Sequence, residues 1–317
     1  MQTYQVWGIR RSGNHAIIGW MLQHTGAPFV HFNDIQDPLN PFTPGGVSVM
    51  GVPAWRYKRG LLRKIRHYFT SRNKVMFAGS DSTVDYEGLA GIRGLRCRVF
   101  SYEDKLIADS DGALASAASG ESRRSIVLLR DPFNLFASLL KAGCFSRRLD
   151  EFPGIYARHA EAFLRGRETG LIGVNYNEWF QHAHYRISIA RRLGFDTDGA
   201  PYDDIPSNGG GSSFSGRAYR GKASQMDVSG RWKRALLHPH FQRLVEAPEV
   251  RDAAEAIFPL LAREVYQALS DVRSTAETQA FGRRGGVTSP GGTFSTSHPD
   301  VSAPMSRARG ALRRREH

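Results

Sequence analysis

The amino-acid sequence predicts an α/β protein of three layers, in which a parallel β-sheet is flanked by helices. Residues 6–22 (VWGIRRSGNHAIIGWML) open with apolar residues, turn at a glycine and continue as a helix. Residues 125–142 (SIVLLRDPFNLFASLLKA) likewise pass from an apolar run through a turn into a helix. Their continuous apolar run is typical of a strand buried on both faces, and Asp131 followed by Pro132 is a helix start. Strands that lead into helices are the units of a parallel sheet covered by helices.

The remaining elements follow from local patterns along the chain. Further strands are predicted within residues 28–32, 74–78, 94–102 and 171–176, and helices over 150–168, 179–193 and most of 236–271. Residues 55–69 form a basic amphipathic helix candidate. Residues 37–54 and 206–216 are rich in Pro, Gly or Ser and are expected to be loops. We expect one domain over residues 1–271 and a disordered basic tail over 272–317, where large apolar side chains are few.

Composition narrows the class of protein and of partner. The chain has 317 residues, of which 41% are hydrophobic, and a net charge of +13. That charge favours polyanionic partners such as nucleic acid, an anionic membrane or a multiply phosphorylated cofactor. The absence of a long apolar run predicts no membrane span. Cys97 and Cys144 do not form a disulfide framework and indicate a reducing compartment. Together with the lack of a secretory-signal pattern, this predicts a cytoplasmic protein.

The turn between the first strand and the first helix has the features of a phosphate-binding loop. Unpaired N–H groups at the start of a helix attract anions. Gly8 and Gly13 have the spacing of a Walker A loop, but Asn14 and His15 stand where that motif has lysine and a hydroxyl residue. Arg11 supplies a cation, and no metal ligand is evident. The alternative is an ordinary strand–turn–helix without a ligand.

Two motifs resemble those of sulfotransferases that use 3′-phosphoadenosine 5′-phosphosulfate (PAPS). Residues 11–14 (RSGN) resemble the 5′-phosphosulfate loop, usually Lys-Ser-Gly-Thr. Arg130, which opens an R-x-P turn, and Ser138, eight positions later, resemble the 3′-phosphate site. Their order and separation also fit that family. The resemblance implies a P-loop-like fold related to nucleotide triphosphatases, PAPS as the donor and no metal.

The resemblance also implies further cofactor-binding residues. Tyr176 corresponds to a tyrosine near the adenine, and residues 229–233 (SGRWK) are similar to a late G-x-W-K element that follows 3′-phosphate-binding cations. The Arg-Lys-Gly that normally precedes this element is absent, and its alternatives here are Arg217, Arg220, Lys222 and Arg231. The expected cofactor-binding set is Arg11, Ser12, Gly13, Asn14, His15, Arg130, Ser138, Tyr176, Arg231 and Lys233.

Sulfuryl transfer to a hydroxyl needs a base and a cation beside the leaving oxygen. Arg11 suits the second role. For the base, many members of the family use a residue on the strand between the two phosphate sites, which makes Glu103 the first candidate here. Asp104, His31 and Asp34 are the alternatives. The acceptor is expected to be a carbohydrate, a lipid or another small molecule, with residues 37–54 and 55–69 as its walls by elimination.

Two other classes of function remain open from the sequence. The basic charge also fits a non-enzymatic protein that binds nucleic acid or anionic membranes. A divergent P-loop kinase is disfavoured by Asn14 and His15. No obligate nucleic-acid partner is expected, the basic tail is a candidate for peripheral contact with anionic surfaces, and the sequence predicts no oligomeric state.

Overall fold

The computed structural model describes residues 1–26, 28–42, 48–50, 68–70, 74–76, 86–91, 94–107, 122–144, 149–205 and 211–284. The chain divides into two units, Met1–Val272 and Arg273–His317. Of the second unit, residues 273–284 are described. None of the helices in these ranges is both long and apolar enough to span a membrane. Cys97 and Cys144 are both free thiols.

The described strands and helices alternate along much of the chain. The strands are β1 (Gln2–Gly8), β2 (Phe29–Asn33), β3 (Ser48–Met50), β4 (Tyr68–Thr70), β5 (Lys74–Met76), β6 (Cys97–Glu103), β7 (Ser122–Leu129) and β8 (Ile172–Asn175). The helices are α1 (Asn14–Thr25), α2 (Tyr86–Ala90), α3 (Pro132–Lys141), α4 (Phe152–Leu164), α5 (Gly166–Thr169), α6 (Tyr176–Gln181), α7 (Ala183–Leu193), α8 (Pro239–Val245), α9 (Pro248–Ile257) and α10 (Pro259–Arg284). Short 3₁₀ helices occur at Leu149–Glu151, Ala223–Gln225 and Arg231–Arg234.

The main sheet has the strand order β3-β2-β6-β1-β7-β8. Five neighbouring strands, β2, β6, β1, β7 and β8, are parallel. The sixth strand, β3, pairs antiparallel with β2 at one edge. This confirms the prediction of an α/β fold built on a parallel sheet flanked by helices. Because the chain passes from β1 to one side of the sheet and returns later to β7 on the other side, a topological switch point lies at the carboxyl end of β1.

Helices cover both faces of this sheet. On one face, the buried side chains of Val6 and Leu128 belong to a core cluster that includes Ile17 of α1 and Ile189 of α7. On the other face, Leu129 belongs to a second cluster that includes residues of α3, α4, α8, α9 and α10. The central strands are therefore covered on both faces, as in other parallel sheets.

The start of α3 is the one that the sequence predicts. Asp131 caps the helix by accepting a hydrogen bond from the N–H of Asn134 at 2.7 Å, and Pro132 occupies the first helical position. The Tyr156 hydroxyl donates to the carbonyl oxygen of Arg130 at 3.1 Å. Cap and tyrosine together fix the backbone of Arg130 at the carboxyl end of β7.

Two predicted boundaries are wrong. Tyr68 and Phe69, assigned to a basic helix over residues 55–69, lie in β4 and pair with β5; residues 55–67 are outside the described ranges. The disordered tail expected over 272–317 begins instead as helix, because α10 continues to Arg284. No proline follows Pro259 in that helix, and its residues after 272 include Ala, Glu and Gln, which are good helix formers. Residues 285–317 are outside the described ranges.

The predicted loops agree in part with the structure. Within residues 37–54, the short strand β3 lies beside β2, whereas 43–47 and 51–54 are outside the described ranges. The predicted strand over 74–78 is present as Lys74–Met76, and residues 77 and 78 are not described. Of the segment 206–216, residues 211–216 are described and contain an isolated bridge between Ser212 and Gly216.

Candidate functional site

A cavity of about 330 Å³ opens at the carboxyl edge of the sheet. Arg11 reaches it from the turn after β1, Glu103 from the end of β6 and Arg130 from the end of β7. In parallel sheets, ligands bind in the crevice beyond the carboxyl ends of the strands, at the switch point. The two predicted anion sites and the predicted base therefore line one cavity at the position where such sheets bind ligands.

The turn after β1 is tightly wound and leads directly into α1. The N–H of Ser12 donates to the carbonyl oxygen of Ile9 at 3.0 Å, and the carbonyl of Gly13 accepts from Ala16 and Ile17. Arg11 has a φ of 70° and Gly13 a φ of 99°. The N–H groups in the first turn of a helix have no partner within the helix, so the turn presents them toward the cavity that Gly13, Asn14 and His15 line.

Gly13 cannot be replaced without moving its surroundings. A Cβ atom at this position would collide with the ring of Tyr176, and its positive φ disfavours side chains. The turn after β1 and the start of α6 therefore touch through a glycine. This contact places Tyr176 beside the loop that the sequence predicts to bind phosphate.

Asn14 and His15 connect the loop to the neighbouring strand ends. The buried Asn14 Nδ2 donates to the carbonyl oxygen of Ile9 and to Glu103 Oε1, each at 3.3 Å. His15 Nε2 lies 2.9 Å from Asn33 Oδ1 at the end of β2. Ser12 is buried (1% exposed) and does not line the cavity, so its contribution to a ligand would come from the backbone.

Arg130 is a buried cation held by neutral groups. It is 2% exposed. Its Nη2 donates to the carbonyl oxygen of Val228 at 2.6 Å, and its Nη1 to that of Arg11 at 3.3 Å. The guanidinium carbon lies 5.1 Å from the centre of the Tyr176 ring. Because carbonyl groups satisfy its hydrogen bonds without cancelling its charge, Arg130 presents a net positive charge to the cavity.

Arg231 is the second buried cation of the cavity wall. Its Nη1 and Nη2 donate to the hydroxyl oxygens of Ser138 and Ser212, each at 3.1 Å. The backbone N–H of Arg231 donates to Asn134 Oδ1 at 2.9 Å, which connects the 3₁₀ helix to α3. Burial lowers the pKa of Arg231 to about 10, and the positive charge of Arg130 contributes to that shift. The guanidinium groups of Arg130 and Arg231 thus repel each other, and an anion bound between them would reduce this repulsion.

Besides Ser12, two further residues of the expected cofactor-binding set do not line the cavity. Ser138 is fully buried, donates to the carbonyl oxygen of Asn134 at 2.7 Å and holds Arg231 from behind. Lys233 is 63% exposed and pairs with Glu264 at 3.4 Å, on the solvent side of the same 3₁₀ helix. Of the four alternative cations for the late motif, Arg231 lines the cavity, whereas Arg217, Arg220 and Lys222 do not.

One end of the cavity is aromatic and apolar, and sequence reasoning missed most of it. Trp179 and Phe180 of α6 line it together with Tyr202, Ile205 and Met226. The buried Arg186 fixes this wall, because it donates to the carbonyl oxygens of Trp179 and Gly199 at 2.7 and 2.6 Å. These side chains come from separate segments without a common spacing, so no sequence signal marks them as a group.

The opposite wall carries a cation among three carboxylates, and Arg10 was not a predicted site residue. Arg10 Nε lies 3.5 Å from Glu103 Oε2 and 3.4 Å from Asp104 Oδ2, and its Nη2 lies 3.7 Å from Asp34 Oδ1. Of the candidate bases, Glu103 and Asp34 line the cavity. Asp104 and His31 do not; His31 is buried against Ser101, and burial lowers its pKa to about 3.

Comparisons of the chain with protein-family models, with curated proteins and with solved structures found no match. The description of the protein therefore rests on its own fold and cavity. The protein has an α/β domain whose parallel sheet ends in a cavity with four arginines, a helix start and an aromatic wall. Within the described ranges, Arg11, Arg130 and Arg231 form no ion pair with a carboxylate.

Proposed function

We propose that this protein is a PAPS-dependent sulfotransferase with a P-loop-like fold, which moves a sulfuryl group to a hydroxyl of a small-molecule, carbohydrate or lipid acceptor in the cytoplasm. One observation carries the proposal. Arg11, Arg130 and Arg231 line the same cavity without a carboxylate partner in the described chain. Such a concentration of cations without ion pairs favours a ligand with several negative charges.

The chemistry of the cavity wall supports a nucleotide with phosphate at both ends. Guanidinium groups can donate two parallel hydrogen bonds to a phosphate. Arg130 and Arg231 would hold the 3′-phosphate, with Ser138 acting through Arg231. Arg11 and the start of α1 would hold the 5′-phosphosulfate. Trp179 and Phe180, with Tyr176, offer flat surfaces for the adenosine. A cavity of about 330 Å³ suits a ligand of that size.

The proposed reaction is an in-line displacement at sulfur. The acceptor oxygen attacks the sulfur atom, and the bond from sulfur to the bridging oxygen of the 5′-phosphate breaks. Glu103 takes the hydroxyl proton as general base. The negative charge that grows on the bridging oxygen is stabilised by Arg11 and the N–H groups at the start of α1. The products are the sulfated acceptor and 3′-phosphoadenosine 5′-phosphate (PAP).

Release of PAP from PAPS tests this function directly. The purified protein is incubated with PAPS and a panel of hydroxyl compounds (phenols, sugars and lipids), PAP is quantified, and sulfated products are identified by mass spectrometry. We expect Glu103→Gln to slow PAP release by about 10²–10⁴-fold, as loss of a general base does. PAP binding should stay within a few-fold of wild type. No acceptor-dependent PAP release by the wild-type protein would contradict the proposal.

A further inference from the structure

Arg10 forms the centre of the carboxylate wall of the cavity. Besides its ion pairs to Asp34, Glu103 and Asp104, its N–H donates to Asp104 Oδ1 at 2.8 Å. Its side chain is 42% exposed, whereas those of Glu103 and Asp104 are 11% and 6% exposed. A half-exposed cation thus covers carboxylates that are nearly buried.

We propose that Arg10 is a positioning residue: it is the counter-ion that holds the Glu103 carboxylate in place as a base beside a polyanionic donor. The inference rests on the proposed function, in which Glu103 and the donor share one cavity. It assigns to Arg10 a role that differs from those of Arg11, Arg130 and Arg231, since Arg10 is already paired with carboxylates and they are not.

The electrostatic need for such a residue follows from the charges in the cavity. A bound donor with phosphate and sulfate groups would repel the carboxylate of Glu103, since like charges repel. Asp34 and Asp104 would add to this effect. A carboxylate that turns away from the acceptor cannot take its proton. Arg10, within 3.5 Å of Glu103 Oε2, is placed to offset that repulsion.

The pairing is also visible on Arg10 itself. Burial alone would lower the pKa of Arg10, but Asp104, Asp34 and Glu103 outweigh it, so that its pKa is raised above the ordinary value. The cation therefore stays charged across the whole range of pH in which an enzyme works.

The two oxygens of Glu103 have different partners, which fixes the carboxylate. Oε2 faces Arg10 at 3.5 Å, and Oε1 accepts a hydrogen bond from Asn14 Nδ2 at 3.3 Å. In the described chain, the non-glycine residues with positive φ are Arg11, Asp34 and Asp104, at 70°, 57° and 59°. All of them adjoin or pair with Arg10. The backbone thus keeps an unfavourable conformation where it holds this cluster.

The titratable and charged groups around Glu103 come from several elements. They are Arg10 and Arg11 after β1, His15 on α1, Asp34 after β2, Asp104 after β6, Arg130 after β7, Cys144 after α3, Tyr176 on α6, Tyr202 and Asp204 after α7, and Arg231 on the 3₁₀ helix. Arg10 is the cation with an ion pair to Glu103 among the described residues.

The test measures kcat and the KM for PAPS from PAP release, with the acceptor that the wild-type protein sulfates. We expect Arg10→Gln to lower kcat by about 10-fold or more while the KM for PAPS stays within a few-fold of wild type, because a misplaced base slows the chemical step without removing a contact to the donor. Arg10→Lys keeps the charge and should restore most of kcat. Arg220→Gln is the matched control, because Arg220 pairs with another cavity-lining carboxylate, Asp204, at 3.8 Å.

Calorimetry with PAP on the same proteins separates this inference from the proposed function. If the wild-type protein binds PAP and kcat is the same in Arg10→Gln, in Arg10→Lys and in the wild type, the role of Arg10 is overturned and the proposed function stands. If the wild-type protein does not bind PAP, the proposed function is overturned and this inference with it. Circular dichroism establishes that each variant is folded, and Arg10→Lys provides the comparison should Arg10→Gln not fold.

Discussion

At the scale of single residues, the surroundings of each arginine determine what it can do. Arg130 and Arg231 are anchored by carbonyl and hydroxyl oxygens, which orient the guanidinium and leave its charge available. Arg10 is anchored by carboxylates, which use that charge. Two kinds of cation on one cavity suit the proposed reaction, in which a carboxylate base takes the proton of an acceptor beside a polyanionic donor.

Replacing Arg130 tests the proposed 3′-phosphate site. We expect Arg130→Ala to weaken PAP binding by at least about 30-fold, since removal of one partner of a buried charge pair costs about 2–5 kcal/mol. Isothermal calorimetry measures the change. Lys233→Ala is the control, because Lys233 is 63% exposed and does not line the cavity; it should bind PAP within a few-fold of wild type. Equal affinity in Arg130→Ala and wild type would remove the assignment.

The sequence predicts some of these residues and not others, for a physical reason. Arg11 and Arg130 follow strands directly and precede helices, so the order of elements places them at the edge of the sheet. Arg231 and Lys233 are two positions apart, yet one is 6% exposed and the other faces solvent. That difference depends on Ser138 and Ser212, which lie far away in the sequence. Tertiary partners of this kind leave no local pattern.

At the scale of elements, β2 and β6 are joined by a chain of polar contacts beside the site. His31 Nε2 lies 3.1 Å from Ser101 Oγ, which in turn donates to Asn33 Oδ1 at 3.1 Å. His15 on α1 meets the same oxygen of Asn33 at 2.9 Å. These contacts therefore connect α1, β2 and β6 beside the turn after β1, and His31 is their buried end.

The burial of His31 leads us to expect that the folded protein loses stability in mild acid. Its pKa is lowered by burial to about 3 in the folded protein, whereas an unfolded histidine titrates near about 6.5. As pH falls below about 6.5, the unfolded chain therefore binds a proton first, and stability is lost progressively toward the folded pKa. From pH 7 to pH 5 this amounts to about 2 kcal/mol.

Urea unfolding of variants at pH 7 and pH 5 measures this effect. We expect His31→Gln to lose about 2 kcal/mol less than wild type between the two values. His184→Gln, at an exposed histidine, should lose as much as wild type and controls for the carboxylates that also titrate. The same loss in His31→Gln and wild type would show that His31 is not the source.

The elements that the sequence predicts well are those whose patterns match their final surroundings. The apolar run of β7 is buried on both faces, and the Asp131–Pro132 start of α3 uses only local contacts. The predicted end of the basic helix over 55–69 was wrong, because Tyr68 and Phe69 lie in β4, which pairs with β5. An amphipathic pattern does not show which strands will pair. The helix α10 continues past residue 272 because helix propensity persists after large apolar residues cease.

At the scale of the whole molecule, the topology explains why two distant segments form one site. Arg11 and Arg130 are separated by more than a hundred residues, but β1 and β7 are neighbours in register, with Gly8 opposite Leu128. The parallel arrangement brings both strand ends to the same edge, where the chain changes direction across the sheet. The basic net charge of +13 adds a long-range attraction for anions.

The central claim is that this edge holds the two ends of a single adenosine nucleotide. Calorimetric titration with PAP, 5′-AMP, magnesium-ATP and duplex DNA tests it most directly. We expect PAP to bind at least about 100-fold tighter than 5′-AMP, a difference of about 2.7 kcal/mol, because only PAP contacts both groups of cations. Magnesium-ATP and DNA should bind more weakly than PAP. Equal affinity for PAP and 5′-AMP, or tighter binding of magnesium-ATP or of DNA, would contradict the claim.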